Sequence, residues 1–259
     1  MFRMRIEVNK LSKLIWVGLI VNAVLLGAVC FFSASAKDIY SELSYSERDL
    51  VDVVSLMKIP FIIALAMQIF SLPVLFKVPK AGLTLAIIGS LVMLPLSLVF
   101  MTGYLFSYEK QCNKNLTLLP QSEQNMLTMA LSFKTSQLLM QGLLLIALGL
   151  FVCFFSGTAT GWLVVGAGVL SSCNSFRLKN RTMIGMSQDK LVITPGLFAD
   201  TYLVPLSDVT LIKEDKRLFK LHIKSAGTDR KCTFRKGLIK EDNYPVVLEG
   251  LLSKLAKQE

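Results

Sequence analysis

Four stretches of this chain contain no Asp, Glu, Lys or Arg: residues 14–36, 59–76, 81–108 and 135–176. A helix rises 1.5 Å per residue, so about 20 apolar residues cross the roughly 30 Å hydrocarbon core of a bilayer. Lipid offers no water to bond stray backbone groups, so runs of this kind must be helical if they cross. Three stretches fit one crossing each, and the fourth is long enough for two. Composition agrees, since 53% of the 259 residues are hydrophobic and 18% are charged, whereas soluble domains are nearer one quarter charged. With a mean hydropathy of +0.56, a disordered chain, a disulfide-built secreted module and a wholly soluble enzyme are all excluded. Charge returns after Phe176 in a mixed, strand-like pattern. The expected architecture is therefore an α+β membrane protein with a transmembrane helical domain at 1–176 and a soluble domain at 177–259.

Charge also orders the crossings. Arg3, Arg5, Lys10 and Lys13, opposed only by Glu7, precede the first stretch, and the positive-inside rule keeps that end in the cytoplasm. Ala34-Ser35-Ala36 has the form of a signal cleavage site, but the apolar stretch before it is longer than a usual signal core and reads as an anchor. Residues 37–58, with Asp38, Glu42, Glu47, Asp49 and Asp52, suit an external loop. Pro60, Pro73 and Pro95 predict bends in the second and third helices. Lys77-Val78-Pro79-Lys80 reads as a short cytoplasmic turn, and residues 107–134 as a second external loop. In the last stretch Leu138 to Phe155 makes one crossing. Ser156 to Gly161 looks like a break, and Trp162 to Phe176 returns with Gly166, Gly168, Ser171 and Ser172 as a small face for close packing. Five helices are expected. Five crossings put the chain ends on opposite sides of the membrane, whereas four keep both basic ends in the cytoplasm.

The tail changes period. Phe219, Leu221 and Ile223 alternate with Lys220, His222 and Lys224, as on a half-buried strand. Similar runs occur at 182–186, 190–194, 201–204, 208–213 and 230–235, with turn signals at Gln188-Asp189, Pro195-Gly196, Glu214-Asp215 and Ala226-Gly227. Leu248, Leu251, Leu252 and Leu255 then make one apolar stripe on a helix from about Tyr244 to Lys257. The order is antiparallel strands closed by one amphipathic helix. Arg177-Leu178-Lys179-Asn180-Arg181, Lys190-Leu191-Val192-Ile193-Thr194 and Tyr202-Leu203-Val204-Pro205-Leu206-Ser207-Asp208-Val209 resemble the bacterial PH-like domains found in small membrane proteins. The resemblance covers the last third of the chain and implies a fold and a binding role, with no catalytic residue to carry over.

Candidate sites are few. His222 is the single histidine and Cys30, Cys112, Cys153, Cys173 and Cys232 show no C-x-x-C spacing, so neither a zinc site nor a Ser-His-acid arrangement is suggested. The charge-free stretches lack the intramembrane ionisable residue that pumps and ion-coupled transporters retain. Their polar residues Asn22, Gln68, Gln137 and Gln141 suit helix packing. The net charge of +10 is explained by a solvated, topogenic surface or by cations that read anionic lipid headgroups, rather than by nucleic acid. The candidate lipid- or partner-binding residues are Arg177, Lys179, Arg181, Lys220, Lys224, Arg230 and Lys231.

The function expected from these residues is that of a polytopic bacterial inner-membrane protein. Its PH-like domain, on the cytoplasmic side, binds a protein, peptide or lipid partner without catalysis, cofactor or metal. A membrane-resident immunity or accessory protein acting on a toxin or channel through its helices is one alternative, and a transporter is another.

Overall fold

The computed structural model describes residues 11–120, 127, 129–156, 160–225, 227–240 and 244–256. The expected features at Arg3, Arg5, Glu7, Lys10, Gly157, Thr158, Ala159, Ala226 and Lys257 lie outside the described residues. The chain divides into two compact units, residues 1–111 and 112–259.

Unit one is built from α1 (Lys13–Asp38), α2 (Tyr45–Lys77), α3 (Pro79–Val92) and α4 (Leu98–Cys112). A capping box starts α2, with the Ser44 backbone N–H donating to the Glu47 carboxylate at 2.8 Å. Neither Pro60 nor Pro73 interrupts this 33-residue helix. The expected third crossing, 81–108, is instead two short helices of 14 and 15 residues that fold back on each other around residues 93–97. The contacts run in order. Gly82 of α3 packs on Leu75 and Gly89 on Ala64 and Gln68, so α3 retraces α2. Phe100 of α4 lies on Gly18, Gly103 on Leu14 and Ile15, and the Ser12 N–H donates to the Ser107 hydroxyl at 2.9 Å, so α4 runs back along α1. Tyr104 joins the two arms, its hydroxyl lying over Gly82 and donating to the Ser71 carbonyl at 2.9 Å.

Each arm is too short to cross alone, and their turn is fixed by polar groups that carry no charge. The Ser97 hydroxyl donates to the Ser90 carbonyl at 2.6 Å. Gln68 receives the Asn22 amide at 2.8 Å and donates to the Gly89 carbonyl at 3.2 Å, tying α1, α2 and α3 at one level. Six apolar helices therefore precede the tail strands among the described residues, where five were expected.

Unit two contains β1 (Thr117–Leu118), β2 (Met129–Ser132), α5 (Thr135–Ser156), α6 (Thr160–Leu178), β3 (Thr182–Ser187), β4 (Lys190–Ile193), β5 (Tyr202–Pro205), β6 (Val209–Glu214), β7 (Leu218–Ser225), β8 (Thr228–Arg235) and α7 (Tyr244–Ala256). An antiparallel sheet of order β1-β5-β4-β3-β2 and a second of order β6-β7-β8 enclose the core. Phe219, Leu221 and Ile223 point inward from β7 as their alternation predicted, and Phe219 stacks on Phe234 with ring centroids 5.0 Å apart. Leu248, Leu251 and Leu252 bury the apolar stripe of α7 in the same core.

Two features of this unit depart from expectation. Residues 107–134, read as an external loop, supply β1 and β2, which pair with β5 and β3. An external loop here and a cytoplasmic tail are mutually exclusive, because strands of one sheet lie on one side of a bilayer. The reason is local: Leu131 and Phe133 are apolar enough to join the core, and both are buried. The helical hairpin α5–α6 is thus inserted between two adjacent strands. The expected boundary at 176/177 marks where helix gives way to strand, while the compact unit starts at Cys112.

Among the described residues three helices, α1, α2 and α5, are long and apolar enough to cross a membrane. Their outer faces expose Ile20, Val24, Phe31, Ile59 and Phe70 in unit one and Leu143, Leu144, Phe151 and Phe154 in unit two, surfaces that water does not favour at this extent. Helix α6 returns along α5 through glycines: Gly142 faces Gly168 and Ser172, and Gly149 faces Gly161 and Val165. A Cβ on Gly149 would stand 2.6 Å from the Val165 backbone nitrogen. We expect Gly149→Leu to force the two helices apart, at a cost of about 1–3 kcal/mol for overpacking, read as a lower Tm of the detergent-solubilised protein. Gly27→Leu, whose Cβ meets nothing within 4 Å, should leave it unchanged.

Candidate functional site

A cleft of about 470 Å³ opens in unit two where the start of α5 meets the sheets. Its floor is the first two turns of α5, with Gln137, Leu138 and Gln141, and Ser171 from the last turns of α6. One wall is the β4–β5 loop, Thr194 to Leu197, and the other is the end of β8 with Thr233, Phe234 and Arg235. The geometry is held by backbone pairing around it. Phe133 bridges Ile239, the Lys134 N–H donates to Leu238 at 2.7 Å, and the Lys240 N–H donates to Ser132 at 3.0 Å.

The β4–β5 loop is positioned by the basic juncture after α6. The Arg177 guanidinium donates to the Leu197 and Ala199 carbonyls at 3.2 and 2.9 Å, and both Arg177 and Arg181 reach Asp200 at 3.1 Å. Asn180 between them takes a left-handed backbone, φ 66°, which ends the helix. The Thr194 hydroxyl donates to the Thr182 carbonyl at 2.6 Å and closes the base of the loop. Two of the candidate binding residues, Arg177 and Arg181, are thus structural ligands of a loop, and Lys179 beside them is exposed.

The remaining four split between two faces. Lys220 and Lys224 on β7 and Lys231 on β8 share the outer face of the second sheet with His222, in the register Lys220↔Thr233, His222↔Lys231 and Lys224↔Asp229. Lys213 stands opposite Lys220 from β6. Arg230 falls on the other face, where it donates to the Asn113 side-chain oxygen at 3.1 Å. Its alternation with Lys231 makes that separation unavoidable. His222 is bonded through Nε2 to Asp229 at 2.7 Å, so it is a paired sheet residue rather than a solvated one.

Gln137 and Gln141 were read as helix-packing residues, but their amides line the cleft and make no side-chain hydrogen bond among the described residues. Their i, i+4 spacing at the start of a membrane helix is the signal that places them on one face. Arg235 joins them from the opposite wall, and its guanidinium likewise makes no side-chain hydrogen bond among the described residues. No group of three or more His, Cys, Asp or Glu able to hold a metal occurs among the described residues.

Comparison with protein-family models, curated proteins and solved structures gave no match to this chain.

The His222 contact, followed by the nearby Lys224 and Lys231 charges, holds the Asp229 carboxyl below its usual range. A depressed carboxyl contributes stability above its unfolded-state range and loses it as pH falls through the folded value. Asp229 is fully exposed, so the effect is small. Unfolding midpoints of the full chain measured from pH 7 down to pH 3 should fall more steeply for the native protein than for Asp229→Asn.

Proposed function

We propose that this chain is a polytopic bacterial inner-membrane protein whose β domain, PH-like in character, binds a protein, peptide or lipid partner at the membrane surface without catalysis. The observation that carries this reading is the insertion of α5–α6 between β2 and β3. A domain tethered through two adjacent strands is held against the headgroups, where a flexible linker would leave it free to wander. The two strand meanders closed by α7 support the PH-like character. The exposed lysines Lys213, Lys224 and Lys231 and the half-buried Lys220 provide a cationic face for an acidic partner surface.

The topology that goes with this reading draws on the folded-back α3–α4 pair. It enters and leaves unit one at the end that holds Lys13, Lys77 and Lys80. The chain then continues into unit two from that side, and α5–α6 leaves and returns. Four crossings with one re-entrant hairpin put every basic segment on the cytoplasmic side and the acidic 37–58 segment outside, as the charge rule prefers. In a cysteine-free background, single cysteines replacing Lys80, Lys114 and Lys216 should react with a membrane-impermeant maleimide only after the membrane is opened. Tyr45→Cys should react in intact spheroplasts. Labelling of the Lys80 and Lys114 positions from opposite sides would overturn the re-entrant arrangement.

Recognition itself is tested by a photo-crosslinking amino acid placed at Lys220, Lys224 or Lys231 in the full chain within native membranes. A discrete adduct, to protein or to lipid, is the expected outcome. Its absence at all three positions in folded protein would reject the outer face as the binding surface.

A second reading draws on unit one. A re-entrant hairpin with a buried polar interior is more than an anchor requires, which favours a role for the helices in engaging a toxin or channel within the bilayer. The transporter alternative gains less, because Asn22, Gln68, Ser71, Ser90 and Ser97 bond to one another and to the helix backbones.

A further inference from the structure

We infer that the cleft above α5 is a binding site for one anionic phospholipid, its phosphate held by Arg235 and the amides of Gln137 and Gln141. The inference rests on the reading of unit two as a domain held at the bilayer surface. Three observations lead to it. First, polar ends that make no side-chain hydrogen bond among the described residues converge here from separate elements: two amides from α5 and one guanidinium from the end of β8. A planar guanidinium with flanking amide donors matches a phosphate oxygen cluster. Second, the described lining residues include one cation and no carboxylate, so the site favours an anion.

Third, apart from the hydroxyls of Ser171, Thr194 and Thr233, the rest of the lining is apolar and continues into lipid. Leu138, Met183, Pro195, Leu197, Phe234 and Leu238 contribute the walls. Immediately along α5, Met140, Leu143 and Leu144 are 66%, 55% and 63% exposed. An acyl chain lying on that face brings its own headgroup to the level of Gln137 and Gln141, within the first two turns of the membrane helix. A volume of about 470 Å³ is in the range of sites for small ligands, and it accommodates a phosphoglycerol head with the first part of its chains. A soluble peptide gains nothing from this continuity, whereas a membrane lipid arrives already oriented.

The test titrates the full chain in detergent with phosphatidylglycerol and follows Tm, which rises with occupancy of a native-state site. Phosphatidylglycerol should raise Tm more than phosphatidylcholine does. Arg235→Ala and Gln141→Leu should each require roughly tenfold more lipid for the same shift, as loss of a charge-assisted contact implies. Arg235→Lys, which keeps the charge but not the fork, should fall between. Identical titrations for the native protein and for both Arg235→Ala and Gln141→Leu would overturn the site. If Lys220→Ala/Lys224→Ala/Lys231→Ala weakens the response and Arg235→Ala does not, the headgroup is read on the outer face, and recognition at the membrane stands while the cleft assignment falls. Equal protection by glycerol phosphate without acyl chains would overturn the lipid assignment in favour of a soluble phosphate compound.

Discussion

The antiparallel pairing of β2 with β3 fixes the rest of unit two. Met129, Ala130 and Leu131 stand opposite Met186, Gly185 and Ile184, and the whole helical hairpin α5–α6 lies between them in sequence. Gly185 lets the strands approach, since a Cβ there would stand 2.7 Å from the Met129 carbonyl oxygen. Leu131 and Ile184 are fully buried in the shared core. Because β2 runs directly into α5, the first turns of that helix are set at the edge of the sheets, and the cleft with its two glutamines exists only as a result.

Unit one depends on a different economy. With no Asp, Glu, Lys, Arg or His in its apolar stretches, it ties its helices together by amide and hydroxyl contacts centred on Gln68. Each such bond in lipid is worth about 0.6–2 kcal/mol. They set the level at which α3 stops and α4 begins. Small residues do the complementary work. Gly18, Gly82, Gly89 and Gly103 bring helices close enough for Phe100 and Tyr104 to fill the space between α1, α2 and the folded-back pair.

Much of unit two was legible in the sequence. The six tail strands appear within a few residues of their expected positions, because Phe219 to Lys224 and its neighbours alternate cleanly and Gln188 and Gly227 take the positive φ that their turn positions suggested. The burial of Leu248, Leu251 and Leu252 likewise followed from their spacing. The strands β1 and β2 were illegible. Thr117–Leu118 and Met129–Ser132 are too short to show a period, and only partners far along the chain reveal them. The break at 93–97 was legible in part: Pro95 marked a bend there, but a turn satisfied by Ser97 and its neighbours needs no charge, so hydropathy runs through it unbroken and the full reversal did not show. At the site, charge alone grouped seven cations, but alternation put Arg230 and Lys231 on opposite faces and Asp200 claimed Arg177 and Arg181.

The placement of the hairpin inside the sheet has a consequence for how the protein is made. The ribosome releases β2 before α5 and α6, and β3 after them. The sheet therefore cannot close until both intervening helices have been made. A chain cut short within the hairpin leaves Leu131 without Ile184. Completion of this core is in this way deferred until the hairpin has been synthesised, a delay that a domain appended after its last helix would not possess.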